Sequence, residues 1–174
     1  AGGVFSGNKT LNSTTATLGP LEITGNLSVT NNSTLTVNGT LWVHGNVDVS
    51  NNATVKLASG YGSSEGVIVA DGTVNLGNNA AFQGSGTSGS YVMVLTTSNS
   101  TSAITVGNNA GAVILYAANG TVNVSNNAGA KSITGYNISL SNNAVITYDS
   151  GLANANFSSG PSGSYNVSSW KETQ

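Results

Sequence analysis

The sequence predicts an all-β fold, a single-stranded parallel β-helix (β-solenoid) of about six to seven coils with a ladder of stacked asparagines. A motif of two alternating apolar residues followed by an asparagine pair occurs six times, first as LSVTNN at residues 27–32. Apolar residues two apart are typical of strands, whereas an amphipathic helix needs spacings of three and four. The first asparagines of successive pairs lie 16 to 30 residues apart. Such a period holds two or three short strands and their corners.

Each coil is expected to contain three short strands. The first ends in glycine, the second contains the repeated motif, and a third follows the asparagine pair in three coils. Parallel pairing of strands about 4.8 Å apart gives a rod on the order of 30 Å long. The crossover rule for parallel strands predicts a right-handed winding. The first strands are residues 21–25, 41–45, 67–72, 113–120 and 132–135, and the third strands are residues 34–37, 54–57 and 145–148.

The asparagine pairs are expected to form one corner of every coil. Asparagine tolerates positive φ and bonds its own backbone, so it is favoured in tight turns. The residue after each pair is always serine or alanine, which keeps the six motifs in register. We therefore expect the side-chain amides to stack, as in cross-β assemblies, although pairs that only form turns are the alternative. The predicted ladder consists of Asn31, Asn32, Asn51, Asn52, Asn78, Asn79, Asn108, Asn109, Asn126, Asn127, Asn142 and Asn143.

The chain divides into three predicted parts, because a solenoid needs protection at both open ends. Residues 1–20 lack the asparagine motif and are expected to form an N-terminal coil or cap. Residues 21–150 form the solenoid. Residues 151–174 are expected to be a C-terminal capping tail, in which Phe157 and Trp170 pack onto the body together with Tyr165.

Composition excludes several classes of function. Only 6% of the residues are charged, the net charge is −2, and the four basic residues are all lysines. Nucleic-acid binding needs clustered basic groups, so no nucleic-acid partner is expected. No apolar run approaches the roughly 18–20 residues that span a bilayer, so we expect no membrane insertion by this segment. The absence of cysteine excludes disulfides and thiolate metal sites.

The residues that could support catalysis are few. Glycosidases need two carboxylates facing one cleft, and no adjacent coil repeats an acidic residue at the positions of Asp48 or Asp71. His44 is the only histidine, which excludes sites built from several histidines. It is expected to lie solvated at a corner near Trp42 and Asp48. We therefore expect no enzymatic activity, no cofactor and no metal.

One face of the rod is predicted to be unusually apolar. Residues 67–70, 91–95 and 113–116 are apolar without alternation, which indicates burial on both sides of the strand. The tail, a loop or a partner protein could cover the outer side. Exposed rings at Trp42 and Tyr61 could also stack on sugars. The predicted interaction surface consists of Trp42, Tyr61, Ile68, Val92, Ile114 and Tyr116.

Three motifs and the end of the sequence resemble the C-terminal solenoid region of PilX-like, type IV pilus-associated surface proteins of small-genome bacteria. The motifs are GTLWV at residues 39–43, GVIVADG at residues 66–72 and GSGTSGSY at residues 84–91. The segment from ITYDSGLA at residues 146–153 to SWKE at residues 169–172 is the most specific. The resemblance implies a surface-exposed module that normally follows a pilin-like N-terminal helix, with no catalytic residues.

The sequence thus predicts a non-enzymatic extracellular or pilus-associated structural or adhesion module at the cell surface. A rigid rod would present corner loops, chiefly residues 58–66 and 83–102, to a protein or glycan on another surface. Pilus components and a second copy of the chain are further candidate partners. One alternative is a subunit of a self-assembling filament or surface layer. Another is a polysaccharide-binding or ice-binding β-helix, with polysaccharide cleavage as the weaker variant.

Overall fold

A computed structural model describes residues 2–154 and confirms a parallel β-solenoid, with seven coils. Each coil has three sides and places a strand or strand segment on each, except that the third side of the fifth coil has only a bridge at Gly111. The strands are β1 (Gly3–Phe5), β2 (Lys9–Asn12), β3 (Thr15–Leu18), β4 (Leu21–Ile23), β5 (Leu27–Thr30), β6 (Thr34–Val37), β7 (Leu41–Val43), β8 (Val47–Val49), β9 (Thr54–Leu57), β10 (Gly66–Ala70), β11 (Val74–Leu76), β12 (Ala81–Gln83), β13 (Val92–Thr96), β14 (Ile104–Val106), β15 (Ile114–Val124), β16 (Gly129–Ala130), β17 (Ser132–Leu140) and β18 (Val145–Ile146). Single 3₁₀ turns lie at Ser59–Tyr61 and Ser150–Asn154.

The three sides form three stacks of parallel strands. The first sheet contains β1, β4, β7, β10, β13 and the first halves of β15 and β17. The second sheet contains β2, β5, β8, β11, β14 and the second halves of the same two long strands. The third contains β3, β6, β9 and β12, and bridges at Gly111 connect β12 to the pair β16–β18.

The two long strands differ from the expected pattern. The sequence predicts a first strand at residues 113–120 and a separate second strand, whereas β15 and β17 each run through the corner between the first and second sheets. The first three coils turn at this corner with a glycine followed by asparagine, and that dipeptide is missing in the other four. In β15 the register instead shifts between Ala117 and Thr121.

The core consists of aliphatic columns that run along the solenoid axis. In the second sheet, the register stacks Leu27, Val47, Val74, Ile104 and Val122 directly over one another. All five are buried, and the alternate residues of the same strands point outward. Burial of each such side chain stabilises the fold by roughly 1.5–3 kcal/mol. The core therefore follows directly from the two-residue alternation in the sequence.

The asparagine pairs form the corner between the second and third sheets, and the predicted ladder is confirmed. Both residues of every pair have positive φ, between 48° and 62°. The N–H of the residue after the pair donates to the carbonyl before it, as from Ala80 to Gly77 at 3.2 Å. This hydrogen bond and two central residues with positive φ define a type I′ turn.

The amide groups of the first asparagines stack without interruption along the corner. Nδ2 of each donates to Oδ1 of the preceding coil, as from Asn78 to Asn51 at 2.9 Å and from Asn108 to Asn78 at 3.1 Å. The ladder begins one coil earlier than predicted, because Asn31 donates to Asn12 at 2.8 Å. Among the second asparagines the contacts join Asn79 to Asn52, Asn109 to Asn79 and Asn143 to Asn127.

A second ladder, which the sequence analysis missed, lies at the corner between the first and second sheets. There the side-chain oxygen of Asn26 accepts the backbone N–H of Asn46 at 2.8 Å, and the same contact joins Asn8 to Asn26. The glycine before each asparagine makes room for this bond. A Cβ at Gly45 would lie 2.2 Å from Oδ1 of Asn26. The signal in the sequence is the Gly-Asn dipeptide at the end of the first strand.

The two ends of the solenoid have different chemistry. Residues 3–18 form a coil that pairs with the next one on all three sides. Its inward-pointing Lys9 occupies the column of Leu27 and places its ammonium group 4.5 Å from the centre of the Phe5 ring. The tail residues Phe157, Tyr165 and Trp170 lie outside the described residues. None of the helical segments in residues 2–154 is long or apolar enough to cross a membrane.

Candidate functional site

The outer surface of the first sheet carries large side chains that change from coil to coil. The register places Glu22, Trp42, Val69, Leu95 and Tyr116 in one outward column. Trp42 is 43% exposed, and the other four are partly exposed. The equivalent positions of the second sheet hold small polar residues. We therefore take the outer surface of the first sheet as the candidate functional site.

Two residues of the predicted interaction surface are not on it. Ile68 and Val92 are 1% and 0% exposed and point into the core, so their assignment to the surface was wrong. Their neighbours Val67, Val69 and Met93 are only partly buried and point outward instead. A strand that is apolar on both sides gives no indication of which residues face the core, because the alternation that sets the phase is missing.

Tyr61 is also wrong as an exposed ring for sugar stacking. It lies in the corner loop between β9 and β10, and the aromatic side chain is buried in the main core cluster. Its hydroxyl has no hydrogen-bond partner among the described residues. Burial raises the pKa of Tyr61 above its ordinary value. The ring therefore anchors the loop and is not available to a ligand.

Ile114 and Tyr116 lie at the C-terminal end of the outer surface of the first sheet. Ile114 is buried in a small outer cluster with Tyr91 and Val113. Leu152, from the turn at Ser150–Asn154, packs against this cluster. Part of the outer apolar surface is thus covered by the chain that follows the last coil, while Tyr116 stays partly exposed.

The turn that holds Leu152 is fixed by a polar contact with the solenoid. The ammonium group of Lys131 contacts the carboxylate of Asp149, which also accepts the backbone N–H of Gly151 at 3.0 Å. The hydrogen bond from Lys131 is the largest of the effects that lower the pKa of Asp149, followed by those from Gly151 and the Tyr91 hydroxyl. This carboxylate stays ionised at neutral pH and holds the turn against the sixth and seventh coils.

A polar cluster of Glu22, Trp42, His44 and Asp71 lies at the other end of the surface, and we call it the His44 cluster. Nδ1 of His44 lies 2.8 Å from a carboxylate oxygen of Asp71, and Nε2 lies 3.0 Å from a carboxylate oxygen of Glu22. The indole Nε1 of Trp42 lies 3.2 Å from both oxygens of Asp71. The rings of Trp42 and His44 are 4.3 Å apart, tilted by 43°.

The glycine corner explains why these residues meet. His44 precedes Gly45 and Asp71 precedes Gly72, so the stacked glycines bring the two side chains together from adjacent coils. The predicted position of His44 near Asp48 was wrong. Asp48 lies on the outer side of the second sheet and accepts hydrogen bonds from Ser50 and Asn75. Alignment of the corner glycines would have found the true partner.

The His44 cluster favours a charged imidazole. Both ring nitrogens can donate to carboxylates only when the ring is protonated. The hydrogen bond to Glu22 is the largest effect on His44 and raises its pKa above 6.5; partial desolvation lowers it, and the contacts with Asp71 raise it again. The cluster therefore gains a positive charge between two negative ones at mildly acidic pH.

The same geometry limits what the cluster can do chemically. The two carboxylates approach opposite nitrogens of the ring, so Glu22, His44 and Asp71 cannot all bind one cation. No group of three or more potential ligands in residues 2–154 is arranged for a metal. What the cluster offers is a half-exposed indole edge that Asp71 holds in place, with planar carboxylates beside it.

Two corner loops lie beside this surface and pack against each other. The loop before β10 and the loop before β13 leave the same corner of successive coils. Oγ of Ser90 donates to the carbonyl of Ser64 at 2.8 Å, and Oγ of Ser85 donates to the carbonyl of Gly62. A shallow groove of about 570 Å³ runs along the second loop. It is lined by Lys56, Gln83, Gly84, Ser85, Gly86, Thr87, Ser88 and Ser90.

No family model, curated protein or solved structure matches the chain. The resemblance to PilX-like proteins therefore depends on the sequence motifs alone and stays a prediction.

Proposed function

We propose that this chain is a non-enzymatic structural module of an extracellular or pilus-associated surface protein. In this proposal the solenoid is a rigid support for attachment. The two paired corner loops and the outer surface of the first sheet contact a protein or glycan on another surface. The resemblance to PilX-like proteins supports the location, and the low charge with abundant Asn, Ser and Thr fits a solvent-exposed rod.

The observation that carries the proposal is that the loops interrupt the coils without disturbing the stack. β10 follows a corner loop, yet it pairs in register with β7 on one side and β13 on the other. Insertions that leave the scaffold unchanged are typical of binding loops on rigid folds. The hydrogen bonds between the loops reduce the conformational entropy that they would lose on binding.

The experiment measures attachment directly. Latex beads coated with the purified chain settle on mucin, on bare glass and on bacterial cells, and the fraction retained after washing is counted. Thr87→Asp with Ser88→Asp places two charges on the exposed tip of the second loop. We expect the wild-type beads to be retained above albumin-coated beads on at least one surface, and the loop variant to lose that excess by about tenfold.

The matched control carries the same two charges at a distance from the loops. Thr15→Asp with Thr17→Asp changes exposed positions of β3 in the first coil. This variant should be retained like the wild type. Equal retention of the loop variant and the wild type, or no excess over albumin on any surface, would contradict the proposal.

Glycan binding at the His44 cluster is a second candidate function. Sugar sites combine an aromatic ring with planar polar groups, and Trp42 is an exposed ring beside two carboxylates. Trp42→Ala should abolish binding to a glycan array if this candidate is correct. A reducing-sugar assay on the same glycans tests for cleavage, which we expect not to occur.

A further inference from the structure

We propose that the C-terminal end of the solenoid is a docking surface for the same end of a second copy, so that two rods join end to end around a two-fold axis. The last coil exposes the core columns. Ile138 and Leu140 are 50% and 51% exposed, whereas Val122 and Val124, one coil earlier in the same columns, are fully buried. Ile146, which faces inward on the third side, is also exposed.

The end also lacks the charged residues that protect exposed strand edges. Residues 132–148 contain no Asp, Glu, Lys or Arg. Natural sheets usually place lysine, proline or an inward charge on such an edge to prevent pairing with other chains. At the opposite end of the molecule the inward column terminates in Lys9, which does have this protective role.

The difference between the ends selects the orientation of the partner. Head-to-tail stacking would place Lys9 of one copy over Ile138 of the other and remove an ammonium group from water. A buried charge without a partner is costly. Stacking of two C-terminal ends brings only apolar and neutral polar side chains together. The uncharged end is therefore complementary to itself.

The backbone at this end has the groups that such pairing needs. In earlier coils the column residues donate to the following coil, as Leu27 donates to Asn46 at 2.9 Å. Their carbonyl groups also accept hydrogen bonds from the following coil, as the carbonyl of Val124 accepts from the N–H of Ser141 at 3.0 Å. Ile138 and Leu140 occupy the same register positions in the seventh coil. Their N–H and C=O groups therefore point away from the sixth coil, toward an edge on which the described chain forms no further coil.

An antiparallel pair centred on Ser139 satisfies these groups. It places Ile138 of each copy opposite Leu140 of the other, and each such pair exchanges two backbone hydrogen bonds. The inward-pointing side chains of both copies then continue the aliphatic columns through the junction. Four hydrogen bonds and the paired side chains form a small interface, so we expect a concentration-dependent dimer and not a permanent one.

Residues 149–154, which follow the last described coil, leave this end instead of covering it. Asp149 contacts Lys131, and Leu152 packs against Tyr91, which directly precedes β13 in the fifth coil. The described backbone thus runs back along the first sheet. Within residues 2–154, the second-sheet edge at Ile138 and Leu140 is thus open to a second copy.

Sedimentation of the full chain between about 10 µM and about 1 mM tests the proposal. We expect a monomer–dimer equilibrium in this range. Leu140→Lys should raise the dissociation constant by about 100-fold or more, because the charge would be buried in the junction. Val4→Lys is the matched control, since Val4 is an exposed apolar residue of the first coil, and it should dimerise like the wild type.

A second variant separates pairing from a general loss of folding. Leu140→Pro removes the N–H that points to the free edge and keeps the hydrogen bond between Ser141 and Val124. It should be monomeric with an unchanged circular dichroism spectrum. A wild type that is monomeric up to 1 mM, or a Leu140→Lys variant that dimerises normally, would overturn the proposal. Slow hydrogen exchange at Ile138 and Leu140 in a monomer would also overturn it, since the end would then be covered within the chain.

Discussion

The first and second sheets of this solenoid have similar inner surfaces and very different outer surfaces. The outward positions of the second sheet hold small polar residues and lead into the same asparagine corner in six of the seven coils. The outward column of the first sheet changes from Glu22 to Trp42, Val69, Leu95 and Tyr116. The same residues must recur at the asparagine corner because identical turns stack there. The outward residues of the first sheet can vary because no such stacking constrains them. The first sheet is therefore the side on which a specific partner surface can be built.

The largest effect should come from the shared core, where the two sheets do not differ. Leu76→Ala deletes a fully buried side chain of the second sheet and should lower the free energy of unfolding by about 2–5 kcal/mol. Leu95→Ala makes the same deletion at a half-buried outward position of the first sheet and should cost about 1 kcal/mol. Urea unfolding measures both. Equal losses would mean that the outer surface of the first sheet is part of the core.

The asparagine corner should be next in importance. Asn78 has φ of 50° and takes part in two ladder hydrogen bonds. Asn78→Gly permits this φ and removes the ladder contacts, which should cost about 1–2 kcal/mol. Asn78→Val adds the strain of a β-branched residue at positive φ and should cost about 2–4 kcal/mol. Equal stability of the two variants in thermal and urea unfolding would contradict the idea that the asparagine is needed for the positive φ of the turn.

The His44 cluster predicts a smaller, pH-dependent effect on the variable side. The pKa of His44 in the folded state lies above its value of about 6.5 in the unfolded state. Between these two pKa values the folded state binds more protons than the unfolded state. The stabilisation is fully present below about pH 6.5 and is lost as the pH rises through the folded pKa. Nuclear magnetic resonance titration of this single histidine measures the value. Glu22→Gln should lower it more than Asp71→Asn does, because the bond to Glu22 is the largest cause.

That titration also checks the geometry of the cluster. Asp48→Asn is the control, since Asp48 bonds to Ser50 and Asn75 and does not contact His44. It should leave the pKa of His44 unchanged. A wild-type pKa at or below 6.5 would contradict the double hydrogen bond to the imidazole.

The smallest effect is expected at Tyr61 in the first corner loop. Its ring is buried, and its hydroxyl has no partner in the described part of the chain. Tyr61→Phe removes a buried polar group without creating a cavity, so it should be neutral or stabilise by up to about 1 kcal/mol. Tyr61→Ala is the comparison, and it should destabilise by several kcal/mol because the ring is lost. A clear loss of stability in Tyr61→Phe would show that the hydroxyl is bonded after all.

The parts of the fold that could be predicted from the sequence are those with a local cause. Alternation of apolar residues and the Asn-Asn turns each act within a few residues, and their sixfold repetition predicts both the solenoid and the ladder. The Gly-Asn corner has an equally local signal, although the ladder at this corner was not predicted. The orientation of Ile68 and Val92 had no local signal, because the neighbours of both are apolar as well.

The candidate site was less predictable because its residues come from three coils. Trp42 was correctly placed at the surface, but the partners of His44 are 22 and 27 residues away, at Glu22 and Asp71. Coil lengths vary with the corner loops, so a fixed period does not align these positions. The stacked glycines Gly45 and Gly72 set the register of the coils at this corner.

The sequence by itself determined that this chain winds into coils, where the asparagine corners lie and which residues fill the core of the second sheet. These features depend on backbone conformation and on alternation within single strands. The tertiary structure alone decided which side chains meet between coils, which side of the first sheet faces outward and how unlike the two ends are. Such contacts depend on the register of separate coils, and register becomes fixed only when the hydrogen bonds between them form.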